Sequence, residues 1–152
     1  MDDTRLALRF LGPLSVARDG APVTLPKSQK TRALLAYLTV TQRPHQRDRL
    51  CRLFWDRTDD PRSALRWSLS KLRALDDEGA ARIRADRSGV AFDPAGARVD
   101  AIDVREALAR GSDGLSVERL RELASAFRGE FLDDIELADC EEFQAWRVAM
   151  RE

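Results

Sequence analysis

The sequence predicts an α+β fold with two modules, a front module of short strands and helices and a rear module of helices alone. Apolar residues first alternate as in a strand and then recur at helical spacing, and a second pair of strand patterns closes the front half. After Pro94 the spacing is helical throughout. The net charge is +6 up to Pro94 and −6 beyond it, although the whole chain is neutral. We therefore expect one domain at 1–95 and another at 96–152.

The composition is typical of a soluble globular protein. Of the 152 residues, 43% are hydrophobic and 34% are charged, and no stretch is long and apolar enough to span a membrane. The N-terminus is acidic and soon alternates in polarity, so we do not expect a signal peptide. Cys51 and Cys140 have neither a metal-binding spacing nor a disulfide framework, which indicates partly buried thiols in a reducing compartment. We expect a cytoplasmic protein without a membrane partner.

A strand and a hairpin open the front module. In LALRFLG, every second residue from Leu6 to Phe10 is large and apolar, which predicts a half-buried strand. The stretch LSVARDGAPVTL predicts a hairpin, because Asp19 and Gly20 readily adopt the positive φ values that its turn needs.

Two helices follow the hairpin. The stretch SQKTRALLAYLTV begins with Ser28, a residue type that caps helix N-termini, and RDRLCRLFW is a shorter helix. At helical periodicity each has one apolar face. The positions expected to face inwards are Ala33, Leu34, Tyr37, Leu38, Leu50, Leu53 and Phe54.

A third helix is predicted for PRSALRWSLSKLR, directly after the loop DRTDD. Asp60 can accept hydrogen bonds from the free amides of its first turn, and proline suits the first helical position. Leu65, Leu69 and Leu72 lie on one stripe, and Trp67 lies nearly opposite them. Because the stretch contains no carboxylate, its outer face is cationic, hydroxyl-bearing and aromatic. Either this face contacts a ligand or Trp67 packs under a neighbouring loop.

The patterns ARIRAD and VAFD predict a second hairpin, joined at 87–89 and carrying Arg82, Arg84 and Arg87. Strands, three short helices and a closing basic hairpin are, in this order, typical of a winged helix-turn-helix. In that fold the last helix enters the DNA major groove and the hairpin reaches the neighbouring backbone or minor groove. The order therefore favours DNA contact for the outer face, with Trp67 against a thymine methyl and its polar neighbours on base edges and phosphates.

Three helices are predicted in the rear module. Their apolar positions are Val104, Ala107 and Leu108 in the first, Leu120, Leu123, Ala124 and Phe127 in the second, and Phe143, Trp146 and Met150 in the third. Ser116 and Gly129 are expected to start and stop the second helix, whereas Asp139 and Glu142 have capping-box spacing at the start of the third. Because the last apolar stripe continues to Glu152, we expect the sequence to be part of a longer protein.

Nearly the whole chain closely resembles the Streptomyces antibiotic regulatory protein family, most specifically from Leu34 to Arg73. The resemblance is carried by LRFLGPLSVARDGAPVTL, KTRALLAYL, RDRLCRLFW, ALRWSLSKLR and VDAIDVREAL. It implies a winged helix-turn-helix of the response-regulator effector type, followed by an all-α, tetratricopeptide-like bacterial transcriptional activation domain. It also implies a transcriptional activator that binds direct repeats of double-stranded DNA near promoters as a head-to-tail dimer. Such an activator would recruit RNA polymerase through its sigma or alpha subunit.

The resemblance also implies site residues. The recognition-helix positions of the family fall on Ser63, Arg66, Trp67, Ser70, Lys71 and Arg73, and its wing positions fall on Arg84 and Arg87. Trp55 at the end of the second helix and Arg57 in the following loop correspond to positions that face DNA phosphate or polymerase. Related recognition helices often carry a pair of arginines where Ser70 and Lys71 stand. This departure leaves the role of Ser70 open and is compatible with weaker or differently specified binding.

Enzymatic chemistry is not expected. His45 is the single histidine, so neither a histidine-based triad nor a multi-histidine metal site can form. The clustered carboxylates lie in predicted loops, where they are expected to be caps and solvated turns. No phosphate-binding glycine loop, dinucleotide fingerprint or CxxC pair occurs. We therefore expect no catalytic residue, no metal ion and no cofactor.

Two other classes of function stay open. Trp67 could anchor an interface with another protein, because tryptophan and arginine are common interface anchors. The chain could also be the regulatory head of a longer ATPase or cyclase. Salt dependence separates DNA binding from a protein interface, since contacts to phosphates release counterions and give a steep loss of affinity with salt.

Overall fold

The computed structural model describes residues 6–76, 81–87 and 89–151, and these residues form two compact units. Each unit is assembled from separate stretches of the chain. The unit that we call the sheet unit contains 6–24, 96–135 and Arg151, and the helical unit contains 25–76, 81–87, 89–95 and 136–150. The mixed content of helix and strand confirms the α+β class.

Groups of three short strands and groups of three helices follow one another along the chain. The main elements are β1 (Leu6–Arg9), β2 (Ser15–Arg18), β3 (Ala21–Pro22), α1 (Gln29–Thr41), α2 (Arg47–Trp55), α3 (Pro61–Leu72), β4 (Ile83–Asp86), β5 (Gly89–Phe92), β6 (Arg98–Val99), α4 (Asp100–Ala109), α5 (Val117–Ser125) and α6 (Glu141–Met150). Within the described ranges, no helix has the length and hydropathy needed to cross a membrane.

The sheet unit is built on strands in the order β3-β2-β1-β6. β1 runs antiparallel to β2 and parallel to β6. The alternation predicted for the first strand is confirmed, since Leu6, Leu8 and Phe10 are all buried. The predicted hairpin is confirmed as well, because Asp19 and Gly20 have φ values of 54° and 82° between β2 and β3.

A partly buried carboxylate joins α4 to the end of β1. Asp100, the first residue of α4, accepts hydrogen bonds from the backbone N–H groups of Phe10 at 2.8 Å and Leu11 at 3.1 Å. Burial raises the pKa of the Asp100 carboxyl, while these backbone bonds act in the opposite direction. Asp100 therefore satisfies amides that the end of the strand leaves free.

The apolar positions predicted for α4 and α5 are only partly buried. Val104, Ala107 and Leu123 lie in the core, whereas Leu108, Leu120, Ala124 and Phe127 are exposed. The hydroxyl of Ser116 caps α5 as predicted, accepting from the amide of Arg119 at 3.1 Å. The helix nevertheless ends at Ser125, before the predicted stop at Gly129. Helical spacing places apolar side chains on one face but does not supply the segment that covers them.

In the helical unit, α1 and α2 confirm the sequence-based predictions. The hydroxyl of Ser28 caps α1 by accepting from the amide of Thr31 at 3.2 Å. All the inward positions predicted for these two helices are buried. After α3, strands β4 and β5 form the expected antiparallel hairpin, with Ile83 opposite Phe92.

Helix α6 belongs to the helical unit, although its sequence lies in the predicted rear module. Phe143 is completely buried, with its ring centroid 5.3 Å from that of Phe54 in α2. The ring of Trp146 meets Tyr37 of α1 edge-on at 4.9 Å. The packing of α6 therefore does not follow the predicted boundary between 1–95 and 96–152. A functional division at this boundary stays a prediction.

Ion pairs hold the start of α6. Asp139, predicted to cap this helix, accepts from Lys30 Nζ at 2.8 Å, and this contact lowers the pKa of its carboxyl. Glu142 pairs with Arg49 of α2. The two carboxylates predicted to form a capping box thus bind cations of α1 and α2.

Candidate nucleic-acid interface

The start of α3 is fixed by its cap. Asp60 Oδ1 accepts from the Ser63 amide at 3.1 Å, and Oδ2 accepts from the Ser63 hydroxyl at 2.7 Å. These two bonds lower the pKa of the Asp60 carboxyl, so it stays ionised at the positive end of the helix dipole. Pro61 occupies the first turn. The predicted start of the helix is confirmed.

The two faces of α3 differ as the spacing predicts. Leu65, Leu69 and Leu72 are at most 2% exposed, whereas Trp67 is 50% exposed. Burial of the leucine stripe fixes the rotation of the helix, because turning it would bring these side chains into water. The outward direction predicted for Trp67 is confirmed, and its alternative place under a neighbouring loop is excluded.

The outer face of α3 comprises Ser63, Arg66, Trp67, Ser70 and Lys71, and the exposed Arg73 follows at the C-cap. Lys71 Nζ lies 5.4 Å from the centre of the Trp67 ring, within the range of a cation–π interaction. Arg66 donates to the hydroxyl of Ser63 at 3.0 Å, and the Ser70 hydroxyl donates to the backbone oxygen of Trp67 at 2.7 Å. Ser70 therefore keeps an oxygen lone pair for a ligand that donates a hydrogen bond.

A buried hydroxyl pair locks α3 to α1. The hydroxyls of Thr31 and Ser68 lie 2.8 Å apart, and both residues are buried. Sequence reasoning missed this pair. The available signal was the position of Ser68 on the same side of the helical wheel as Leu65, where a serine needs a polar partner.

The β4–β5 hairpin carries three arginines with different surroundings. Arg82 is buried and donates to the backbone oxygens of Asp93 at 2.9 Å and Ala95 at 3.0 Å, so it holds the base of the hairpin. Arg84 is exposed and paired with the Asp93 carboxylate at 2.7 Å. Arg87 is exposed near the tip. Ser88, in the predicted turn, lies outside the described residues.

His45 anchors this hairpin to the turn between α1 and α2. Its amide donates to Val90 O at 2.9 Å, and its backbone oxygen accepts from the Val90 amide at 2.8 Å. A side chain at position 89 would bring Cβ within 2.7 Å of His45 O, so glycine is required there. His45 itself lies in the connection between α1 and α2 and is only 4% exposed.

The imidazole of His45 is held in the neutral form. Burial lowers its pKa to about 4, and the nearby charges of Arg43 and Arg49 act in the same direction. Its Nε2 lies 2.7 Å from the hydroxyl of Thr41, and its ring centre is 4.7 Å from that of Tyr37. The single histidine is therefore part of the packing between α1 and the hairpin.

The two residues expected to face phosphate or polymerase differ in their exposure to solvent. Trp55 is buried and packs with its ring centre 5.7 Å from that of Phe54, so we correct its assignment from a surface residue to a core residue. It falls on the inner face of α2, one position after Phe54. Arg57, in the loop before α3, is exposed.

The cysteines are buried free thiols, as predicted. Burial raises the pKa of both, to about 11 for Cys140, whose Sγ donates to Phe54 O at 3.4 Å. High pKa values keep the thiols protonated and poorly nucleophilic. In the part of the chain that the structure describes, no group of His, Cys, Asp and Glu side chains is placed to hold a metal ion.

Comparison with known proteins gives a likeness to a solved structure. No family model matches the chain, and no match is found among curated proteins. Among solved structures, the chain is similar to EmbR of Mycobacterium tuberculosis in complex with a low affinity phosphopeptide, with a TM-score of 0.72 and 25% sequence identity. The match covers 96% of this chain and 41% of the EmbR chain, so the sequence spans about two fifths of that structure. EmbR is a regulator of the Streptomyces antibiotic regulatory protein type, and the chain shares its α+β fold.

Proposed function

We propose that the chain is the DNA-binding part of a sequence-specific transcriptional activator. The observation that carries the proposal is the outer face of α3, on which a half-exposed Trp67 lies among cations and hydroxyls and to which the helix itself contributes no carboxylate. Tryptophan and arginine are common interface anchors, and the partner that suits the cationic neighbours of Trp67 is polyanionic. The likeness to EmbR supports a regulatory role of this kind.

In this proposal α3 is the recognition helix of a winged helix-turn-helix. Arg66, Lys71 and Arg73 supply charge for phosphates or guanine edges, and Trp67 contacts a thymine methyl. The β4–β5 hairpin is the wing, with Arg87 free to reach the backbone and Arg84 able to exchange Asp93 for a phosphate. His45 and the pair of Thr31 and Ser68 hold both elements without touching DNA.

The remaining parts of the proposal concern assembly. Two chains bind head to tail on direct repeats near a promoter, and Arg57 in the loop before α3 contributes to contact with the sigma or alpha subunit of RNA polymerase. The exposed position of Arg57, directly before the capped start of α3, supports this role. We also propose that the protein acts in the cytoplasm and without a cofactor.

Selection from a random pool of double-stranded DNA tests the proposal. The enriched sequence is then titrated at several salt concentrations and footprinted. We expect a steep negative slope of log affinity against log salt, and two protected patches about one helical turn apart on one face of the duplex. Failure to enrich any sequence would overturn the proposal.

The second candidate is a protein-interaction module. Trp67, with Lys71 stacked beside it, is also a suitable anchor for a protein partner. A protein interface centred on Trp67 would show a shallow salt dependence, because few counterions are released. The same titration therefore separates the two functions.

A further inference from the structure

Aromatic side chains connect α6 with the other elements of the helical unit. The aromatic cluster comprises Tyr37, His45, Phe54, Trp55, Phe143 and Trp146. Neighbouring ring centres lie between 4.7 and 6.0 Å apart, in tilted or edge-on arrangements. Such arrangements are favourable beyond the area that they bury, and they are sensitive to the geometry of each pair.

One route through the aromatic cluster reaches the hairpin. Trp146 of α6 contacts Tyr37, whose ring in turn packs against His45 at 4.7 Å. The backbone of His45 is bonded in both directions to Val90 of β5. Two ring contacts and one backbone bridge therefore connect α6 with the hairpin.

The other route reaches the start of α3. Phe143 is fully buried against Phe54, and Phe54 neighbours Trp55 at the end of α2. The backbone oxygen of Trp55 accepts from the Thr58 amide at 3.0 Å, in the short loop that leads to the Asp60 cap. This bond connects the end of α2 with the loop that leads to the start of α3.

From these contacts we infer that α6 is a positioning element for the proposed DNA surface, with Phe143 and Trp146 as its positioning residues. This inference rests on the proposed function. The hairpin and α3 must meet one duplex at the same time, so a small displacement of either weakens the bonds to phosphate that fix the register. A functional division at residue 95 would instead leave DNA affinity independent of α6. Because coupling is reciprocal, a partner that favours the docked position of α6 raises DNA affinity.

The test uses the full chain with Trp146→Ala and, as a control, Val148→Ala on the exposed side of the same helix. Hydrogen exchange is followed at the amides of His45 and Val90, with the Leu132 amide of the sheet unit as reference. We expect Trp146→Ala to speed exchange at the first two amides about threefold to tenfold relative to the reference. DNA affinity is expected to fall by a similar factor. Trp146→Phe should restore most of both, and Val148→Ala should change neither.

Phe143→Leu tests the second route through exchange of the Thr58 amide, which is expected to rise while the Leu132 amide stays unchanged. Unchanged exchange and DNA affinity in Trp146→Ala would overturn the inference. Equal acceleration at all amides would also overturn it, because positioning requires a local effect. If the unmodified chain shows no salt-dependent DNA binding, the proposed function fails, and the exchange comparison still decides whether α6 holds the hairpin.

Discussion

Replacing Trp67 by alanine separates a binding role from a packing role. A fully buried tryptophan replaced by alanine costs about 3 to 5 kcal/mol of unfolding free energy. Trp67 is 50% exposed, so water fills the space that the ring leaves and no closed cavity forms. The loss should be limited to part of the ring's packing area and to an exposed cation–π interaction with Lys71 of about 0.5 to 1 kcal/mol. We expect a total loss of about 1 kcal/mol.

Leu69→Ala is the matched control on the opposite face of α3. Leu69 is 2% exposed, so its truncation leaves a cavity and should cost about 2 to 5 kcal/mol. Urea unfolding of both variants measures the difference, since the midpoint falls in proportion to the decrease in stability when the slope is unchanged. Trp67→Phe, which keeps an apolar ring, should lie close to the unmodified chain.

DNA affinity is measured on the same Trp67→Ala protein. Discrimination between the selected site and random DNA should fall by about 1 to 3 kcal/mol, while non-specific binding stays nearly unchanged. A Trp67→Ala variant that unfolds as readily as Leu69→Ala would refute the outward position. A variant that folds normally and keeps full discrimination would show that Trp67 does not contact a base, and the base contacts would then be assigned to Arg66, Ser70 and Lys71.

The other predictions concern the hairpin, a buried hydroxyl pair and the histidine. Arg84→Ala and Arg87→Ala should each weaken binding to all DNA sequences alike. The slope of log affinity against log salt should fall by about one for each phosphate contact that is lost. Unchanged slopes for both variants would show that the hairpin is not part of the interface. Ser68→Ala should cost about 1 to 3 kcal/mol, because the Thr31 hydroxyl stays buried without its partner, whereas exposed Ser70→Ala should stay within about 0.5 kcal/mol. Equal urea midpoints for these two variants would contradict the assignment of Thr31 and Ser68 as a buried hydroxyl pair. The neutral His45 should make stability fall as pH decreases from 6.5 towards about 4, because the unfolded chain binds a proton that the folded chain does not. His45→Gln should flatten this dependence in pH-dependent unfolding, and an unchanged profile would show that another group titrates.

The local features of this protein could be predicted from short stretches of sequence. The caps at Ser28, Asp60 and Ser116 form between a side chain and an amide three residues away, so each can be predicted from a few neighbouring residues. The turn at Asp19 and Gly20 depends on the conformational freedom of those residues. The outward direction of Trp67 follows from helical periodicity, because a helix with one leucine stripe has only one way to bury it. The part of the candidate site on α3 was predictable for this reason.

The contacts between distant segments could not be predicted from the sequence and are seen only in the folded chain. Periodicity gives the direction of a side chain from its own helix axis, but not the element that covers it. Phe127 and Phe143 both lie on predicted apolar stripes, yet Phe127 is exposed and Phe143 is completely buried. His45 gained its role from Val90, far along the chain, through backbone groups that carry no sequence signal. The docking of α6 in the helical unit likewise depends on long-range contacts with α1 and α2, whose geometry emerges only when the whole core is packed.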